Sequence, residues 1–162
     1  MSIGDFYPKD TQGTNFPASI KFAVASGTTT SIHAGEPVQK LAGTAYATLA
    51  ATNFPTTTLR HVGIATSNSS ETASADGTVD VMLSAPGTVF IGNADVASTW
   101  NTQAKYNALV GTRVLIKLAT GVFTVLASDS AGNGCVVEWL DVAKYPGKVA
   151  FSFSPLSYYA NV

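Results

Sequence analysis

Thr78-Val79-Asp80-Val81-Met82-Leu83, then Ser84-Ala85-Pro86-Gly87, then Thr88-Val89-Phe90-Ile91, is the stretch on which the fold turns. Two runs rich in β-branched and aromatic residues flank a Pro-Gly dipeptide, and Pro-Gly supplies a chain reversal. The local reading is a β-hairpin. The same period of two recurs upstream, where Ile20, Phe22 and Val24 alternate with Lys21, Ala23 and Ala25. Farther along, Ser31 to Val38 is a short extended step in which Pro37 must sit at a strand start or edge, because it has no amide to give to a ladder. Arg60 to Thr66 reads as a further strand, and the Ser/Asn/Thr-rich run Ser67 to Ala75 as a loop ending at Asp76-Gly77.

Downstream the period lengthens once. Trp100, Ala104, Ala108 and Leu109 have helical spacing, with Ser98 or Thr99 as cap and Gly111 as terminator, so one short helix is expected. Thr112 to Leu118 and Val122 to Leu126, joined by Ala119-Thr120-Gly121, predict a second hairpin. Cys135 to Val142 and Lys148 to Phe153, separated by Pro146-Gly147, predict a terminal pair of strands. Many short strands with one helix indicate an all-β fold, a compact antiparallel β-sandwich or small β-barrel. The Pro- and Gly-broken ends lack any period. The expected division is an N-terminal arm over residues 1–18, a β-rich body over 19–153 and a C-terminal tail over 154–162.

With 162 residues the body can bury a self-sufficient core. The lone Cys135 has no partner for an internal disulfide and, beside Val136 and Val137, reads as a small apolar side chain on a strand. Charged residues make up 12% of the chain, about half the usual share, and the net charge is -1. Evenly scattered Lys and Arg give no footprint for nucleic acid. No basic segment followed by an apolar one opens the sequence and no apolar run reaches bilayer length, so a soluble protein without a cleaved signal and without membrane contact is expected.

Chemistry-bearing patterns are sparse. His33 and His61 are the only imidazoles, neither has a metal ligand at helical or turn spacing, and no G-x-S-x-G elbow is present. The residues around Asp129 and Asn133 lack the spacing of a calcium loop, and Glu138 and Asp141, three apart on a strand, would point to opposite faces. No enzyme, cofactor or metal is expected. What the body does not account for is a set of rings in irregular sequence: Phe6, Tyr7 and Phe16 in the arm, Tyr158 and Tyr159 in the tail. Rings bring large contact area at small entropic cost, which makes these five the candidate protein-interface residues.

Taken in order, Ser31-Ile32-His33-Ala34-Gly35-Glu36-Pro37-Val38, His61-Val62-Gly63-Ile64-Ala65, Gly77-Thr78-Val79-Asp80-Val81, Pro86-Gly87-Thr88-Val89, Tyr106-Asn107-Ala108-Leu109-Val110-Gly111, Gly121-Val122-Phe123-Thr124 and Gly147-Lys148-Val149-Ala150-Phe151-Ser152-Phe153 form a series. Over about Ser19 to Phe153 it resembles the decoration, or cement, proteins that tailed bacteriophages place on the outside of their heads. The resemblance implies a homotrimer on the outer capsid surface of a virion, made in the host bacterial cytoplasm. Its partners would be the major capsid protein and itself, and its task would be to stabilise the shell between capsomers. It carries no catalytic residues to transfer. By analogy the N-terminal arm would reach the major capsid protein, adding an extended strand to an exposed edge. Two rivals stand beside it. One is a carbohydrate- or receptor-binding β-module on the virion surface using Trp100 or Trp139, although both read as core residues. The other is a small hydrolase built on His33 or His61.

Overall fold

The computed structural model describes residues 6–8, 19–27, 31–41, 43–50, 61–84, 87–119, 122–127 and 134–153. Phe16, Tyr158 and Tyr159 lie outside the described residues. The protein is mostly strands, in two antiparallel sheets with one helix, and one sheet is curled into a half-barrel. No helix of the described residues is long and apolar enough to cross a membrane.

The chain enters through β1 (Tyr7–Pro8) and then builds β2 (Ser19–Val24), β3 (Pro37–Lys40), β4 (Ala47–Leu49), β5 (His61–Ala65) and β6 (Gly77–Leu83). It continues with β7 (Phe90–Asn93), α1 (Gln103–Leu109), β8 (Arg113–Ala119), β9 (Val122–Leu126), β10 (Cys135–Glu138) and β11 (Lys148–Phe153). One sheet has the order β2-β6-β5-β3-β4 and the other β1-β7-β11-β10-β8-β9. The expected strands at Ser19, Pro37, His61 and Gly77 are present, as are the β8–β9 hairpin and the β10–β11 pair. Strand β4 has no counterpart in the sequence reading, since Ala47-Thr48-Leu49 is too short and too mixed to announce itself.

The expected hairpin over Thr78 to Ile91 does not form. Strand β6 is flanked by β2 and β5 in one sheet, and β7 by β1 and β11 in the other. Both strands have spent both edges elsewhere, so the chain passes from one sheet to the other between β6 and β7. The helix also differs from expectation. Thr102, not Ser98 or Thr99, accepts the capping bond from the Lys105 amide, because Ala97–Thr99 forms a separate 3₁₀ turn.

Each sheet bends until its far strands touch. In the larger sheet Ala94, just after β7, bridges to Val125 of β9, the Asp95 amide donates to the Val125 carbonyl at 2.9 Å, and Lys117 lies 3.6 Å from the Asp95 carboxylate. In the smaller sheet Ala23 of β2 bridges to Tyr46 beside β4. Each curl encloses its own apolar cluster. The larger holds Phe90, Phe123, Phe151, Phe153, Trp100 and Tyr106, and the smaller holds Val24, Ile32, Val38, Ala65, Val79 and Val81. Strands β5 and β6 serve both: Ala65 and Val81 face the smaller cluster, while their neighbours Ile64 and Met82 face the larger. Cys135 is fully buried on β10, as its apolar neighbours imply.

Tyr106 fixes α1 to the larger sheet. Its hydroxyl donates to the Glu138 carbonyl at 2.9 Å and accepts from the Ala150 amide at 2.8 Å, joining the helix to β10 and β11. Burial pushes its phenol pKa up to about 12. Two main-chain groups that would otherwise be buried unpaired are satisfied by one oxygen.

Candidate functional site

Of the five rings expected at an interface, two fall within the described residues, and the structure separates them. Phe6 is 3% exposed and belongs to the larger core. Its ring meets Phe151 edge-on at 5.3 Å and Phe123 at 6.3 Å. Gly92 makes the space: a Cβ on that residue would overlap the Phe6 ring. Full burial of such a ring is worth roughly 1.5–3 kcal/mol, so within the single chain Phe6 belongs to the core and not to the free surface. Tyr7 is the opposite case. It is 39% exposed, and Lys148 places its ammonium 5.9 Å from the ring centroid while also donating to Asn93.

The arm's foot is therefore docked on its own subunit. Tyr7 pairs with Ile91 and Pro8 with Phe90, and the Phe6 amide donates to the Gly35 carbonyl at 3.3 Å. Gly35 has φ +86, so the turn from His33 to Glu36 needs glycine there. Tyr7, Ala34, Ile64, Thr66, Met82 and Phe90 are among the residues lining a cleft of about 230 Å³ beside this strand.

Other apolar side chains stand at the surface. Trp139 is 55% exposed, and Ile20, Leu41, Val96 and Val110 are exposed as well. For Trp139 this overturns the expectation of a core residue: β10 stops at Glu138, so the next side chain is not held by strand alternation against the core. Trp100 is buried as expected, packed 5.6 Å from Tyr106. The signal that could have separated the two tryptophans is the end of β10 at Glu138, just before Trp139.

Titratable groups are dispersed. His33 was expected to lack a partner three residues on, yet Glu36 occupies that place: its carboxylate accepts from the His33 amide at 2.7 Å and lies 3.4 Å from the imidazole Nδ1. Glu36 is buried and His33 exposed, so the pair closes the turn. The Ser69 hydroxyl accepts from the Ile32 amide and donates to the Ile32 carbonyl. Glu138 accepts from Ser152 at 2.6 Å, and Asp141 accepts from the amides of Ala143 and Lys144, so these carboxylates serve separate local structures. Among the described residues no three His, Cys, Asp or Glu side chains converge as a metal site would require.

A second, shallow cleft of about 530 Å³ runs past Asn101, Thr102, Gln103, Asp141 and Pro146. Gln103 spans its floor, donating to the Leu140 carbonyl and accepting from the Val142 amide. The described surface offers exposed apolar side chains, among them Tyr7 and Trp139. No known protein family, curated protein or solved structure matches this chain.

Proposed function

We propose that this chain is a capsid decoration protein, attached to the outside of a phage head between capsomers and stabilising the shell as a trimer. The observation that carries this reading is the surface of a body whose two cores are already filled. It belongs to a chain in which only 12% of residues are charged, and it exposes Trp139, Tyr7, Ile20, Leu41 and Val96. Such a surface desolvates at small cost, and rings on it supply the anchors on which protein interfaces depend. The ordered series of motifs from Ser31 to Phe153 supports the same reading, as does the docking of the arm's foot by strand addition, a mode that carries over to foreign sheet edges.

Attachment through apolar and main-chain contacts is nearly independent of ionic strength, because ion pairs contribute little to it. Co-sedimentation with heads purified from the virus that encodes the chain tests this. The bound fraction is expected to stay constant from low to high salt. Stripping by salt, or no binding at any salt, contradicts the reading.

A carbohydrate-binding module is the second reading, favoured by the exposure of Trp139, which offers a flat ring for a sugar face. Glycan binding that disappears in Trp139→Ala would replace the first reading with the second.

A further inference from the structure

The segment Phe6–Pro8 sits in the seam between the two sheets. On one side it pairs with Phe90 and Ile91 of β7; on the other its Phe6 amide donates to Gly35, in the turn that leads into β3. Its one buried ring fills a hole that exists because residue 92 is glycine. The segment is thus held as an inserted strand, with its main chain bonded to both lobes and a side chain in a shaped socket. Sheets accept strands from other chains in the same manner.

Nothing in these contacts requires donor and socket to belong to one copy. Thr66 lines the cleft beside Tyr7, and its hydroxyl lies 3.0 Å from that of Ser19, where β2 begins. The ten residues between Pro8 and Ser19 therefore start and finish beside one small cleft, although a chain of that length reaches about 33–36 Å when extended. Joining its own ends does not require such a length. It is long enough to reach an adjacent copy.

We infer that the seam is an acceptor for the Phe6–Pro8 segment of a second copy of this chain, and that copies exchange these segments when they associate. Exchange recreates in trans the bonds made in cis, so it is driven by concentration with little change in contacts. Within a closed ring each further exchange becomes intramolecular, which tightens the assembly without any new surface. The inference deepens the self-association part of the proposed function and rests on that part alone.

Two cysteines report the exchange directly. In the full chain, Tyr7→Cys combined with Ile91→Cys places thiols at paired positions of β1 and β7. Oxidation at concentrations spanning self-association is expected to yield disulfide-linked oligomers, and a mixture of the two single variants a covalent heterodimer. A chain that remains monomeric throughout, or a double variant that closes only within monomers while the mixture gives no heterodimer, overturns the inference.

Complementation covers the case in which the disulfide fails to form. Phe6→Ala lacks the donor ring and Gly92→Ala blocks the socket. Mixed in equal amounts, they should fill about one socket in four at random and restore that fraction of the wild-type melting transition, where neither variant alone restores any. A mixture that behaves as the sum of its parts contradicts exchange. Neither experiment contains a viral shell, so failure of decoration and failure of exchange are read separately.

Discussion

The two apolar cores of this molecule are made of different material. The larger is a cluster of rings, in which Phe90, Phe151 and Phe153 stack in tilted and edge-on pairs 5.7–6.0 Å apart and Trp100 leans on Tyr106. The smaller is aliphatic, with Val24, Ile32, Val38, Ala47, Ala65, Val79 and Val81 and no buried ring among the described residues. Smaller side chains bury less area, and polar ties across the loops of that lobe add to it. Ser69 bonds both main-chain groups of Ile32, Asn68 accepts from the Ala34 amide, and Asp76 joins the Ser26 amide to the Tyr46 hydroxyl. The two halves thus differ in what fills them, rings in one and aliphatic side chains in the other.

Substitutions should reproduce that contrast in urea unfolding. Phe151→Ala in the ring cluster is expected to cost about 3–5 kcal/mol, whereas Val79→Ala in the aliphatic core should cost about 2 kcal/mol. Equal losses would mean the two cores are not the separate structures described. Next in size is Tyr106→Phe, which strips the shared partner from the Glu138 carbonyl and the Ala150 amide, at about 1–3 kcal/mol. Burial raises the Tyr106 pKa to about 12, above the unfolded value near 10. Its contribution should therefore be complete below about pH 10 and fade as pH climbs toward 12, a loss that Tyr106→Phe should not show.

The smallest effect belongs to the exposed tie in the aliphatic lobe. The Tyr46 hydroxyl and the Ser26 amide hold the Asp76 carboxyl below its usual range, and Asp76 in turn raises the Tyr46 phenol. The Asp76 contribution should be present above about pH 4 and vanish as pH falls through its lowered pKa, while the Tyr46 contribution should vanish on the alkaline side. Melting of Asp76→Asn between pH 2 and 7 checks the first. A wild-type acid profile identical to the variant's would show that the tie is idle.

The same contrast explains what could be read in the sequence. Strands with a clean period of two, such as Ile20-Phe22-Val24 and Val149-Phe151-Phe153, were legible because alternation is a local property. The all-β class follows from them. Pairing is not local. Thr78 to Ile91 carries every mark of a hairpin, yet its two strands find better edges in different sheets, and no feature of that stretch reports the edges available elsewhere. The burial of individual rings was not legible. Phe6 lies in irregular sequence and becomes core only because Gly92, far along the chain, leaves room for it. Trp139 sits in an apolar run and becomes surface because its strand ends one residue earlier. His33 and Glu36 meet through a turn whose shape depends on Gly35 at φ +86.

Electron cryomicroscopy of heads lacking the protein, before and after incubation with the full chain, tests attachment to a shell most directly. Added density of three copies around each three-fold or quasi-three-fold position between capsomers is the expected result. Heads that gain no ordered density at saturating protein would contradict it.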